Sequence, residues 1–259
     1  MQILLLTGGS SGIGKAAVEL FAQKGYKVYE LSRHGESRSG ITHIDCDVTK
    51  PEDCKSAVEK VVANEGKIDV LISNAGMGIS GAVEFTDINE AKRQIDVNFF
   101  GSVNITQAVL PYMREKKAGK IIFVSSMAAV FSIPFQSFYS ASKFAINGFA
   151  MALKNEVRPF GIKVCCLLPG DVKTGFTDAR AKSVAGSDVY IRLNKAVSTM
   201  EHDEQHGITP ERMAKKLYLL AEANNPCAFS TVGFQYHLFT LLNKILPTTF
   251  VYKIVGMMY

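Results

Sequence analysis

Tyr139 and Lys143 lie four residues apart in Tyr139-Ser140-Ala141-Ser142-Lys143. On a helix that spacing puts both side chains on one face, with Cβ atoms about 5–6 Å apart. A free phenol titrates near about 10 and is a spectator at neutral pH. An ammonium held beside it favours the phenolate and makes the tyrosine a usable proton donor or acceptor. Thirteen residues earlier, Ser126 follows the apolar run Ile121-Ile122-Phe123-Val124. A hydroxyl at the carboxyl end of a strand can hold a substrate oxygen beside that tyrosine. Tyr-x-x-x-Lys alone is more often an ordinary exposed helix pair, so the weight rests on the start of the chain.

There, Gln2 to Thr7 reads as a short buried strand, and Thr7-Gly8-Gly9-Ser10-Ser11-Gly12-Ile13-Gly14 follows directly. Ala16, Ala17, Leu20 and Phe21 then repeat at helical spacing up to a stop at Gly25. Glycines at 8, 12 and 14 allow a tight turn, close backbone approach to a pyrophosphate and close helix–strand packing. The helix N-terminus adds free N–H groups and a positive dipole end. A Gly-rich turn is a weak signal by itself and a much stronger one between a first strand and a first helix. The next strand, Lys27 to Leu31, ends at Ser32-Arg33, where the adenosine ribose of a dinucleotide would lie. An acid there would serve NAD, whereas Arg33 suits a 2′-phosphate and points to NADP(H). Glu30 shares Ser32's face by alternation and keeps NAD open as the alternative.

The remaining pattern supplies the elements that position these groups. Ile41 to Ile44 reads as a strand leading to Asp45-Cys46-Asp47-Val48, and Pro51 opens a helix through Val62. Asp69 to Ser73 is a strand closed by the sharp turn Asn74-Ala75-Gly76. One long helix is expected from Asn89 to Met113; it contains Asn98 and Gly101, and a mid-helix glycine asks for a packing reason. Strands follow over Ile121 to Ser126 and Ile162 to Leu168, the second ended by Pro169-Gly170, with the Tyr139 to Arg158 helix between them. Helices alternating with short apolar strands imply right-handed crossovers and a parallel sheet covered on both faces. Ligands of such sheets bind beyond the strands' carboxyl ends, so Gly8, Asp47, Asn74, Ser126 and Pro169 are expected on one rim.

Composition agrees with a globular chain. The 259 residues, enough for one large α/β domain or two small ones, are 47% hydrophobic and 20% charged, so the core is well supplied. The net charge of +5 suits a phosphate-bearing ligand, but no dense Lys/Arg run suggests nucleic acid. Five cysteines at 46, 54, 165, 166 and 227 show neither C-x-x-C nor Cys/His ligand spacing, so no metal site or disulfide framework is expected. Buried free thiols in a reducing, cytoplasmic compartment are the expectation, and Met1-Gln2 with its short apolar run reads as no signal peptide.

Together these motifs resemble the short-chain dehydrogenase/reductases of one-domain length. The resemblance covers about residues 2 to 232: Thr7-Gly8-x-x-x-Gly12-x-Gly14, Asp47, Asn74-Ala75-Gly76, Asn98, Ser126, Tyr139-x-x-x-Lys143 and Pro169-Gly170-x-x-x-Thr174, in that order. It implies a Rossmann-like, doubly wound parallel sheet and carbonyl/alcohol interconversion with a nicotinamide cofactor. It further implies that Tyr139 is the general acid/base, that Ser126 orients and polarises the substrate oxygen, and that Asn98 supports a proton-relay water. Lys143 would lower the tyrosine pKa and bond the nicotinamide ribose. Asp47, with Val48, would meet the adenine, Asn74 would help line the cleft, and Val172 with Thr174 would meet the carboxamide. Homodimers or homotetramers through the helices around Asn98 and Tyr139 are implied as well.

Between Asp171 and Gly207 the pattern loosens, with helical pieces such as Val189 to Val197, and a mobile substrate lobe is expected there. Thr209-Pro210-Glu211 opens a helix through Ala221, and Phe229 to Val232 is the last strand. After residue 232 comes a helical extension. Leu238, Leu241, Leu242 and Ile245 repeat at helical spacing before Pro247, as do Val251, Ile254, Val255 and Met258 after it. This extension has three readings: packing on the core or on a second subunit, a lipid-facing surface, or part of an apolar substrate mouth. Packing is the expectation, because amphipathic stripes are more often packed. With Phe131, Ile133, Phe135 and Phe138, the extension suggests an apolar substrate of steroid, retinoid or lipid type. A catalytically silent cofactor sensor or scaffold is the alternative, disfavoured because Asn98, Ser126, Tyr139 and Lys143 are all present. Sugar-nucleotide epimerases of similar chemistry resemble longer chains with a substantial substrate domain.

Overall fold

A computed structural model describes residues 1–259. Short β-branched and leucine-rich runs form the strands, and those at the centre of the sheet are buried on both faces, as a parallel sheet between helices requires. The order along the chain is β1 (Ile3–Thr7), α1 (Gly12–Gln23), β2 (Lys27–Ser32), β3 (Ile41–Asp45), α2 (Pro51–Glu65), β4 (Val70–Ser73) and β5 (Ile79–Ser80). Then come α3 (Ile88–Ile95), α4 (Gly101–Glu115), β6 (Gly119–Val124), α5 (Ser137–Glu156) and β7 (Ile162–Leu167). The remainder is α6 (Phe176–Ala179), β8 (Ala181–Lys182), α7 (Leu193–Gln205), α8 (Pro210–Glu222), β9 (Phe229–Ser230), α9 (Phe234–Ile245) and α10 (Thr248–Met258).

Seven strands pair in the order β3-β2-β1-β4-β6-β7-β9, and every pairing is parallel. This is a Rossmann-like doubly wound sheet, as the βα alternation predicts. Successive residues of β1 serve opposite cores. Ile3 and Leu5 pack with α2, α4 and α5, whereas Leu4 and Leu6 pack with α1 and α8. The chain leaves β1 on one side and β4 on the other, so a crevice opens between their carboxyl ends.

Three differences from the sequence reading have physical causes. The long helix expected from Asn89 to Met113 is two helices, α3 and α4, joined by one π turn over Asp96–Phe100. The wider turn draws Asn98 fully inside, a placement that π turns often serve at functional sites. Gly101 follows it because a Cβ there would stand 2.6 Å from Val48 Cγ2, which is the packing reason expected of it. The substrate lobe is also tied down. β5 pairs with β8, and Val172 bridges to Ile208. Its main helix runs from Leu193 to Gln205, later than Val189 to Val197. Finally, α9 and α10 pack thinly: only Tyr236 of α9 and Val251 and Val255 of α10 are buried. No helix is long and apolar enough to cross a membrane.

Candidate active site

The crevice is bounded first by the turn after β1. Gly8 and Gly12 adopt φ of 71° and 51°, the left-handed region that glycine enters without strain. A Cβ on Gly14 would stand 2.1 Å from the Gly8 carbonyl oxygen, so helix and turn meet only because it is glycine. Asn74 locks this turn to the end of β4, its amide donating to the carbonyls of Thr7 (3.1 Å) and Gly8 (2.9 Å). In return the Thr7 hydroxyl accepts the N–H groups of Asn74 and Ala75 at 3.0 and 3.1 Å. Thr7 and Gly14 therefore build the wall from behind. Gly8, Ser10, Ser11, Gly12, Ile13, Asn74, Ala75 and Gly76 face the cavity. The first turn of α1 has no acidic residue, and its N-cap Ser11 makes no side-chain bond, which leaves N–H groups for an anion.

At the tip of β2, Ser32 and Arg33 line the cavity, as do Asp47 and Val48 beyond β3. Glu30 does not compete for a ribose. Its carboxylate is buried, accepts the Gly9 N–H at 3.0 Å and meets His43 Nδ1 at 2.5 Å. Burial works against the imidazolium of His43, but Asp45 and Glu30 on its two nitrogens outweigh it and raise its pKa. Burial likewise opposes ionisation of Asp47, yet the Thr49 hydroxyl and N–H and the Arg33 charge hold its carboxyl below the usual range. These groups fit the adenosine end of a dinucleotide.

The proposed reacting groups sit across the sheet. Ser126 and Tyr139 line the cavity together with Lys143, Pro169, Gly170, Val172 and Thr174. Ser126 Oγ accepts the Ala128 N–H at 3.0 Å, and its hydroxyl meets the Tyr139 phenol. Burial pushes the Tyr139 phenol up to about 12; the Ser126 hydroxyl and the Arg180 charge pull down, and Glu204 pushes up. Lys143 is buried beside the phenol. Its ammonium donates to the Val124 carbonyl at 3.0 Å and stands 5.7 Å from the Tyr139 ring centre. Burial lowers its pKa to about 8, and it is not among the groups that lower the tyrosine's. The phenol is therefore a proton donor across neutral pH in this state. Asn98 lies behind the cavity. Its Oδ1 accepts the Met77 N–H (2.8 Å), and its Nδ2 donates to the Met77 carbonyl and the Ser142 hydroxyl, both at 3.0 Å.

Other contributors escaped the sequence reading. The Tyr236 ring covers Gly170 so closely that a Cβ there would lie 2.1 Å from it. Its hydroxyl donates to Asp171 Oδ2 (2.6 Å) and accepts the Asp171 N–H (2.9 Å), which fastens α9 to the Pro-Gly turn. Phe176 lies between Tyr139, at 5.8 Å between ring centres, and the Arg180 guanidinium, 5.6 Å from its ring. Arg180 is buried and paired with Glu204. Phe131 and Ile133 line the cavity as expected, but Phe135 and Phe138 do not; Phe135 instead meets Tyr190 edge-on at 6.3 Å. Cys227 is exposed, unlike the other four thiols.

Two outcomes follow. Tyr139→Phe keeps the ring and removes the transferable proton, so turnover falls on the order of 10²-fold or more in steady-state assays. For Lys143 the folded state disfavours the ammonium, so the unfolded chain binds more protons between pH about 8 and 10.5. Its destabilising effect is complete below about 8 and is relieved as pH rises to 10.5. The melting temperature of Lys143→Met relative to the parent, measured without cofactor, is then highest near neutral pH and declines towards pH 10. A difference constant across that range contradicts the assignment.

Comparison with known proteins agrees with this geometry. The family described as short chain dehydrogenase matches residues 2–185. The 3-ketodihydrosphingosine reductase of Bacteroides thetaiotaomicron is 42% identical over 236 residues, covering 90% of this chain and 88% of that protein. A solved short-chain dehydrogenase from Streptomyces avermitilis superposes with a TM-score of 0.84 at 28% identity, covering 94% of this chain and 93% of its own. ElxO with NADP bound superposes at 0.78 with 26% identity, over 92% and 99% of the two chains. The chain belongs to the short-chain dehydrogenase/reductase family and is an NAD(P)(H)-dependent oxidoreductase of the carbonyl/alcohol class.

Proposed function

We propose that the protein is an NADP(H)-preferring oxidoreductase that interconverts a ketone and an alcohol on an apolar, lipid-like substrate. The observation that carries this reading is the chamber over Tyr139. It is part of a continuous cavity of about 1680 Å³, and its far wall is formed by Phe239, Leu242 and Leu246 of the α9 region and by Val251, Val255 and Met258 of α10. Phe131 meets Phe239 edge-on at 6.3 Å, joining that wall to the catalytic segment. A small polar substrate would leave this apolar wall wet, whereas a hydrocarbon chain dries it. The similarity to a 3-ketodihydrosphingosine reductase points the same way.

When bound, the nicotinamide cofactor supplies or accepts the hydride exchanged with the carbonyl carbon. The chain's own residues do the rest. Ser126 donates a hydrogen bond to the substrate oxygen and orients it. Tyr139 delivers a proton to that oxygen as negative charge grows there, and takes it back in oxidation. Lys143 holds positive charge behind the phenol and is positioned to bond the ribose. Asn98, fixed by Met77 and Ser142, keeps α5 and the loop after β4 in register and supports a relay water. Arg33 supports the NADP(H) preference because it lines the cavity while Glu30 is occupied elsewhere. Phe100 and Phe144, exposed near α4 and on α5, support a homodimer or homotetramer. Five free cysteines support a reducing, cytoplasmic setting.

Oxidation of NADPH and of NADH with ketones graded from small and polar to long-chain and steroidal tests the reading. Turnover is expected with NADPH on the bulky apolar members. Arg33→Ala raises KM for NADPH by roughly tenfold, the loss of one charge-assisted contact, and leaves that for NADH unchanged. Turnover with NADH alone removes the cofactor assignment, and tight NADPH binding without turnover on any member moves the weight to a cofactor sensor.

A further inference from the structure

The helices that wall the chamber have a second apolar face, and it points outward. On α9, Phe239 and Leu242 line the chamber while Leu241 and Ile245 are 53% and 68% exposed. On α10, Val251 and Val255 turn inward, while Phe250 and Met257 are 51% and 67% exposed. The substrate lobe meets this rim, because Arg192 donates to the Gly256 carbonyl at 2.5 Å and its neighbour Ile191 is 83% exposed. Apolar side chains so clustered on a surface mark an interaction site.

Charge identifies the partner. The chain as a whole carries 24 acidic residues, yet none lies between Pro226 and Tyr259, where Lys244 and Lys253 are the charged side chains. A second copy of the chain on this face would bring cationic tails together with no acidic side chain of either tail to oppose them, since a two-fold interface apposes the same patch to itself. An anionic lipid surface meets both the apolar and the cationic character. Length decides the mode. Helices of 12 and 11 residues reach about 18 and 17 Å against a hydrocarbon core of about 30 Å, so they lie in the interface and do not span it.

We propose that the outer face of α9 and α10 docks on an anionic bilayer and holds the chamber mouth at its surface, so that a membrane-resident ketone enters without crossing water. This rests on the apolar-substrate reading above and names where that substrate is met. The α9 and α10 chain breaks at Pro247, between Leu246 and Val251 of the chamber wall, so both helices can lie flat while their inner faces stay on the site.

Flotation of the full chain with phosphatidylcholine vesicles, with and without phosphatidylglycerol, tests it. The protein is expected to float with the anionic vesicles and much less with the neutral ones. The triple variant L241E/I245E/F250E loses about tenfold or more of the bound fraction, with NADPH binding unchanged as the check on folding. The milder pair K244E/K253E, which leaves every apolar residue in place, reduces the anionic dependence alone. Absence of flotation with both vesicles overturns the proposal, as does flotation that the triple variant retains. A concentration-dependent dimer abolished by the triple variant, without vesicle binding, assigns the face to a second copy and also overturns it. None of these readouts needs turnover, so failure of the docking and failure of the ketone panel are separate results.

Discussion

A cation held out of water at the end of β6 is the constraint on which the site depends. Lys143 is 4% exposed, and its ammonium has one short partner in the protein, the Val124 carbonyl at 3.0 Å. Burying an ammonium is expensive unless other groups meet it, and here the strand end offers one acceptor out of three possible bonds. The remaining donors are available to a ligand in the crevice. The same bond sets where α5 crosses the sheet, and one turn before Lys143 that crossing places Tyr139 over the cavity beside Ser126. Desolvation then drives the two groups apart in pH: the phenol rises to about 12 and the ammonium falls to about 8. Pairs driven apart from their ordinary values by burial are a signature of acid–base work.

A second node, at the switch point of the sheet, makes the crevice rigid enough to use. Four hydrogen bonds tie Thr7 and Gly8 to Asn74 and Ala75 across the ends of β1 and β4, so that the Gly-rich turn and the wall after β4 move as one body. Glu30 stiffens the same turn from beneath through the Gly9 N–H. That contact removes the acid from the cavity and leaves Arg33 as the charge at the β2 tip.

The strands, the strand-end rim and the positions of Ser126, Tyr139 and Lys143 were legible because they rest on local pattern: apolar runs, glycines that forbid a Cβ, and helical spacing. What was not legible is long-range. The role of Gly170 depends on the Tyr236 ring, 66 residues later, lying where a Cβ would be. The π turn at Asp96–Phe100 has no sequence period of its own, although Gly101 inside an apparent helix was its trace. Arg180 and Glu204 look like surface charges in the sequence, but Arg180 is buried beside Phe176 and pairs with the part-buried Glu204. Alternation correctly put Glu30 on the face of Ser32 but could not show that His43 and Gly9 would occupy it. The extension read as packed because amphipathic stripes usually are; its second apolar face appears only once the inner one is assigned to the chamber.

The claim on which all of this rests is that Lys143 carries the charge that supports proton transfer by Tyr139. Its most direct test is kcat/KM for an apolar ketone at saturating NADPH, followed from pH 6 to 10 in the parent and in Lys143→Met. The account predicts that the parent's rate falls with rising pH as the lysine loses its proton, and that the variant is slow with this step gone from its profile. A pH profile of the same shape in both proteins would contradict it.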